Sequence, residues 1–153
     1  MRRTTTRTSK QRAVVEGYRS GLEEKVAAQL HAAGVPFEYE SKTLRFTKPA
    51  KPSRYTPDFP LPNHIIVETK GRFVTADRQK HLAIQAQYPG LDIRFVFSNS
   101  NARIGKKSQT TYAMWCRKHG FTFADKLIPK AWIEEPSNLN RQVAFDAAFN
   151  TGT

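Results

Sequence analysis

The chain has 153 residues, with 25 Lys and Arg against 13 Asp and Glu, a formal net charge of +12 and a pI near 10.1. That length and a 39% hydrophobic content suffice for one domain with a substantial core, and the basic excess suits a polyanionic partner, most simply nucleic acid, without by itself implying an enzyme. Cys116 is the only cysteine, which excludes an intramolecular disulfide framework and a cysteine zinc site, and no apolar stretch approaches the ~20 residues of a membrane span.

Residues 1–12 carry Arg2, Arg3, Arg7, Lys10 and Arg12 with no acid, and read as a disordered basic arm. It either contacts a DNA backbone or serves as a solubilising tail. No apolar signal region follows, so the expected compartment is intracellular and reducing. Ser20-x-x-Glu23 is a capping-box pattern opening a helix on which Leu22, Val26 and Leu30 recur every four residues, and Gly34 ends it. Val35 to Glu40 reads as a strand with an edge-like start at Pro36. Lys42, Arg45, Lys48, Lys51 and Arg54 follow in an acid-free stretch interrupted by Pro49 and Pro52. Residues 42–54 are therefore expected to be an extended basic connector rather than a core element, either a linker or an arm exchanged between subunits.

Beyond this, Leu61-Pro62-Asn63-His64 has the composition of a tight turn, and Ile65-Ile66-Val67 reads as a buried strand. Gly71 breaks the pattern, and Thr75 looks like the cap of a helix to about Tyr88, with Leu82, Ile84 and Ala86 as its apolar face and Pro89-Gly90 as its stop. Leu91 to Phe97 is a second buried strand, and Ser98 to Gln109 a polar loop rimmed by Arg103, Lys106 and Lys107. A helix over Thr110 to Lys118, which places Cys116 in the core, stops at Gly120. A short strand at Phe121 to Phe123 and a helical turn at Ala131 to Ile133 come next. From Pro136 the chain turns polar, with Val143 to Phe149 a short amphipathic docking helix. The element order predicts an α/β protein with a mixed sheet flanked by helices. Its divisions are a basic arm at 1–17, one domain at 18–135 and a C-terminal tail at 136–153.

The pattern with the most chemistry is Pro57-Asp58, followed ten residues on by Glu68-Thr69-Lys70. Strand alternation puts Glu68 and Lys70 on one face, and a hairpin of this length can bring Asp58 beside Glu68. Two carboxylates and an ammonium would then meet at a strand end. Oxygen-only ligands suit Mg²⁺ or Mn²⁺, and the lysine can orient an attacking water or neutralise charge growing on a phosphate. This is the pattern of a metal-dependent phosphodiesterase. The competing reading is a solvated Glu-Lys pair worth ~0–1 kcal/mol. Glu23 has two roles open to it, helix capping and a third carboxylate for a second metal. His31, His64, His81 and His119 lack ligand spacing, although the turn holding His64 lies between Asp58 and Glu68. The aromatics alternate with polar residues as core positions do, and neither a Gly-rich phosphate loop nor a Gly-x-Ser-x-Gly elbow is present.

Several segments together resemble the phage endonuclease I family of Holliday-junction resolvases. They are Tyr18-Arg19-Ser20-Gly21-Leu22-Glu23, Tyr55-Thr56-Pro57-Asp58-Phe59, Val67-Glu68-Thr69-Lys70-Gly71, Leu91-Asp92-Ile93-Arg94, Lys118-His119-Gly120 and Phe123 to Pro129. The resemblance runs from about Tyr18 to Ile133. It implies a restriction-endonuclease-like fold in an intertwined homodimer, with residues 42–54 as the bridge between its halves. It also implies a catalytic set of Glu23, Asp58, Glu68 and Lys70, with two Mg²⁺ or Mn²⁺ ions per site. One would be held by Asp58, Glu68 and the Thr69 carbonyl, the other by Asp58 and a Glu23 from the other subunit. The implied activity is cleavage of branched double-stranded DNA, giving 5′-phosphate ends, in the cytoplasm of a phage-infected bacterium, with no small-molecule cofactor and no membrane. The basic arm, bridge and loop would contact phosphates without reading sequence. The likeness departs at Pro60 and His64, where the family's prototype has Leu and Gly. A sequence-specific or repair nuclease on the same fold and a non-catalytic junction-binding architectural protein are the alternatives.

Overall fold

The structure, a computed structural model, describes residues 20–47 and 52–149. Helix α1 (Gly21–Ala32) begins where the Ser20 hydroxyl accepts the Glu23 amide at 3.1 Å, satisfying one orphan donor of the first turn. It closes at Gly34, whose φ of +67° glycine adopts without steric cost. The buried Val26, Ala27 and Leu30 pack against Phe59, Leu61, Ile65 and Val67.

Two expectations for the next stretch fail. Val35 to Glu40 is not a strand. Pro36 offers no donor, and Glu40 stands at φ +50° with its amide donating to the Asp58 carbonyl at 3.2 Å. The segment instead lays the Phe37 and Tyr39 rings on Phe59, with centroids 5.7 and 5.4 Å away. The described residues of 42–54, namely 42–47 and 52–54, are not a connector outside the core either. Strands β1 (Leu44–Thr47) and β2 (Pro52–Tyr55) pair antiparallel, with Leu44 opposite Tyr55 and Arg45 opposite Arg54. Leu44, Phe46 and Tyr55 enter the main core while Arg45 and Arg54 face outward. A period of two was therefore present among the lysines and prolines, and Pro52 takes the first strand position, where a missing donor does least harm.

The main sheet runs β3-β4-β5-β6. Strand β3 (Phe59–Pro60) pairs antiparallel with β4 (Ile66–Lys70), Phe59 opposite Val67, which is the expected hairpin. Strands β5 (Ile93–Phe97) and β6 (Thr122–Asp125) add in parallel, reached through helices α2 (Thr75–Gln87) and α3 (Tyr112–His119). Alternation along the strands divides the interior. Ile66, Phe95 and Phe97 join the main core with α3, whereas Val67 and Val96 join the cluster beneath α1.

Helix α2 is capped by Val74 rather than Thr75, and its inward residues are Arg78, His81 and Ile84. Ala86 is exposed and Leu82 only half-buried, because His81 and the Arg78 stem occupy the core side, Arg78 donating to the Phe73 carbonyl at 2.5 Å. Helix α3 starts at the Thr111 cap, ends at Gly120 (φ +78°), and seals Cys116 completely, burial pushing its thiol up to about 12.

Helices α4 (Lys130–Glu134) and α5 (Leu139–Phe149) complete the described chain. Of the expected tail, residues 139–149 are thus not loose, since Phe145 and Ala148 lie in the main core. Arg141 binds Asp92 at 3.2 Å, Glu135 at 2.5 Å and the Asn63 carbonyl at 3.3 Å, and Arg94 bridges the same two carboxylates. Gly90 approaches α5 so closely that a Cβ there would stand 2.8 Å from the Ala144 Cβ. Among the described residues no helix is long and apolar enough to cross a membrane.

Candidate active site

Strand β4 carries Glu68, Thr69 and Lys70 to its C-terminal end, and the antiparallel start of β3 brings Asp58 alongside. Asp58 Oδ2 accepts both the amide and the hydroxyl of Thr69 at 3.0 Å, while the Asp58 amide donates to Glu68 Oε1 at 3.3 Å. The same Glu68 oxygen accepts the Tyr55 hydroxyl. Helix α1 supplies Glu23 and the irregular segment before β1 supplies Glu40. Glu23, Glu40 and Asp58 each present a carboxylate oxygen within 4.8 Å of the others. Tyr39 donates to Glu23 Oε2. Lys70 Nζ stands 3.7 Å from Asp77 Oδ1, and the neighbouring Lys80 lies 5.6 Å from the centre of the Tyr55 ring.

Glu68 is 2% exposed and Asp58 8%, so the solvated-pair reading of Glu68 and Lys70 does not hold. Burial, then the Asp58 charge, pushes Glu68 up to about 8. Burial raises Asp58 as well, against the Thr69 bonds and the Lys70 charge that lower it. Two carboxylates gathered out of water resist ionising together unless a cation joins them. Every donor here is oxygen, the chemistry of a hard divalent ion, and the residues present fit such an ion.

The structure brings together all five residues singled out from sequence for the chemistry: Glu23, Asp58, Glu68, Thr69 and Lys70. Glu23 reaches the cluster from the same chain, whereas the resemblance had implied a partner's. Its amide donates to the Ser20 hydroxyl, and its carboxylate lies with those of Glu40 and Asp58. Glu40, Tyr39, Tyr55, Asp77 and Lys80 went unnoticed for the site. The one local signal was the Tyr55-Thr56-Pro57-Asp58 run, which placed a hydroxyl three residues before the carboxylate.

His64 does not face this cluster. It occupies the turn at φ +69°, where glycine would be unstrained, with Nδ1 3.0 Å from Ser137 Oγ and its ring against Phe145. Of the expected phosphate-contacting residues, Arg45, Arg54, Arg103, Lys106 and Lys107 are exposed. Lys42 is half-buried, 6.0 Å over the Phe145 ring. Arg2, Arg3, Arg7, Lys10, Arg12, Lys48 and Lys51 lie outside the described residues.

A mixed sheet that delivers carboxylates and a lysine to one oxygen-only cluster defines an α/β protein whose acidic residues could hold a metal ion. The chain belongs to the phage endonuclease I family, which it matches over residues 4–149. It is 52% identical to endonuclease I of Escherichia phage T7 over 138 residues, 90% of this chain and 91% of that protein. It is 50% identical to endodeoxyribonuclease 1 of Enterobacteria phage T3 over 129 residues, 84% of this chain and 83% of that protein.

Proposed function

We propose that the protein is a divalent-metal-dependent endodeoxyribonuclease that resolves four-way and other branched DNA junctions, acting as an intertwined homodimer of restriction-endonuclease-like fold in the cytoplasm of an infected bacterium. The observation that carries this reading is the convergence of Asp58, Glu68 and Lys70 at the end of β4 with Glu23 beside them. The family and the names of the two phage relatives support the nuclease part. Asp58, Glu68 and the Thr69 carbonyl would hold one Mg²⁺ or Mn²⁺, and Asp58 with Glu23 a second. When bound, such ions acidify water and offset charge on the phosphate. Lys70, kept in place by Asp77, neutralises charge growing on the phosphate oxygens and orients the attacking water. Cleavage leaves 5′-phosphate and 3′-hydroxyl ends.

Shape supplies the selectivity. Exposed Arg45, Arg54, Arg103, Lys106 and Lys107 contact phosphates and set register. Two sites at a fixed separation cut opposed strands only where DNA bends to meet both. In an intertwined dimer, residues 42–54 would be the bridge between the two halves of the chain.

The test uses an immobile four-way junction, a sequence-scrambled junction and a linear duplex, each in EDTA, Mg²⁺ or Mn²⁺. Symmetric metal-dependent cuts near both branches, absent from the duplex, are expected. The Lys70→Ala protein should cut about 10²–10³-fold more slowly while binding the junction as before. Cuts that follow sequence rather than branching would make it a sequence-specific or repair nuclease. Tight binding with no cuts in any metal would make it a non-catalytic junction-binding protein.

A further inference from the structure

We propose that Tyr55 is a positioning residue of this centre, its hydroxyl fixing which oxygen of Glu68 is turned toward metal and substrate; the proposal rests on the reading of the site given above. Tyr55 is the last residue of β2 and is 1% exposed within the main core. Its hydroxyl donates to Glu68 Oε1, and the Asp58 amide donates to that same atom at 3.3 Å. Oε2 takes part in neither bond. Asp58 is held in the same manner, with both Thr69 donors on Oδ2. A carboxylate pinned through one oxygen loses the freedom to rotate about its terminal bond, so the other oxygen keeps one direction.

The ring has its own socket, built by adjacent residues of α2. His81 meets it edge-on, with centroids 5.5 Å apart and planes at 84°, and Lys80 Nζ stands 5.6 Å from its centre. Among the described residues neither ring nitrogen of His81 has a hydrogen-bond partner, so the tyrosine hydroxyl is not shared with the imidazole. A buried hydroxyl is costly unless bonded, and here the bond is to a residue of the cluster. Phenylalanine would fill the same space equally well, so packing alone does not account for tyrosine at this place.

The experiment compares Tyr55→Phe with the unaltered protein in three measurements: Mn²⁺ affinity without DNA by calorimetry, single-turnover cleavage of a four-way junction across Mn²⁺ concentrations, and junction binding in EDTA. Thermal midpoints of both metal-free proteins accompany them. The expected result is an Mn²⁺ affinity about 10–100-fold weaker, slow cleavage that recovers at high Mn²⁺, and unchanged junction binding. Lys80→Met keeps the hydroxyl and removes the cation over the ring, a charge that also acts on Glu68 and Asp58 and repels an incoming ion, so its Mn²⁺ affinity should fall by no more than about 5-fold. Mn²⁺ affinity in Tyr55→Phe equal to that of the unaltered protein overturns the proposal. So does a loss in Lys80→Met as large as that in Tyr55→Phe. An unaltered protein that neither binds Mn²⁺ nor cuts the junction would instead defeat the reading of the site itself.

Discussion

His81 is fully buried between the rings of Tyr55, Phe95 and Phe121, and among the described residues neither of its nitrogens has a hydrogen-bond partner. Burial, then the charges of Lys70 and Lys80, holds it well below 6.5, so the folded chain keeps it neutral. In the unfolded chain the same imidazole accepts its proton near 6.5. Its contribution to stability is therefore complete above that pH and is lost as the pH falls toward the folded value. Between pH 7 and pH 5 the buried Asp58 and Glu68 gain stability while His81 loses it, so the urea midpoint of His81→Phe should rise relative to that of the unaltered protein as the pH falls. Midpoints that shift in parallel would mean that the ring takes up its proton without unfolding. A buried polar side chain carries information only through its neighbours: Glu68 and His81 are both sealed, and of the two Glu68 has fixed donors on it.

At the scale of elements, what could be read from sequence was what local chemistry decides. The Ser20 cap and the stops at Gly34 and Gly120 mark α1 and α3 because each lies within a few residues of the helix it bounds. The Asp58–Glu68 hairpin was legible for the same reason, and with it most of the candidate site. Tertiary contacts hid the remainder. Leu44, Phe46 and Tyr55 reveal a strand pair only once the main core exists to receive them, and basic residues mask their alternation. Glu40 joins the cluster through a left-handed backbone and a bond to the Asp58 carbonyl, neither of which leaves a mark in the sequence. Helix α5 was foreseen over Val143 to Phe149, but not its start at Leu139 nor the place of Phe145 and Ala148 in the main core. Its contact with Gly90 gives a direct check: Gly90→Ala should cost about 1–3 kcal/mol in chemical denaturation through overpacking. Adding Ala144→Gly should return part of that loss, a coupling that two independent sites would not show.

For the whole molecule, the site sets stability against function. Gathering Asp58 and Glu68 out of water raises both pKa values, Glu68 from the ordinary value near 4.5 to about 8. A group raised on folding contributes fully below its unfolded value, and that contribution is lost as the pH climbs through the folded one. Above pH 6.5 the His81 contribution is already complete, so the carboxylates govern the trend. In EDTA the thermal midpoint should fall from pH 6.5 to pH 8. Mg²⁺, by binding the folded state alone, should raise the midpoint more at pH 8 than at pH 5. A midpoint in EDTA that rises over the upper range would mean that the two carboxylates ionise together without a cation.

Cys116 lies sealed at 0% exposure with its thiol pushed up to about 12, which makes the chain silent toward maleimide reagents while it stays folded. A cysteine introduced at exposed Lys106 or Arg103 would then be the sole attachment point for a fluorophore. Dye pairs placed this way could follow, one molecule at a time, whether two chains trade their first helices, with the native thiol left untouched.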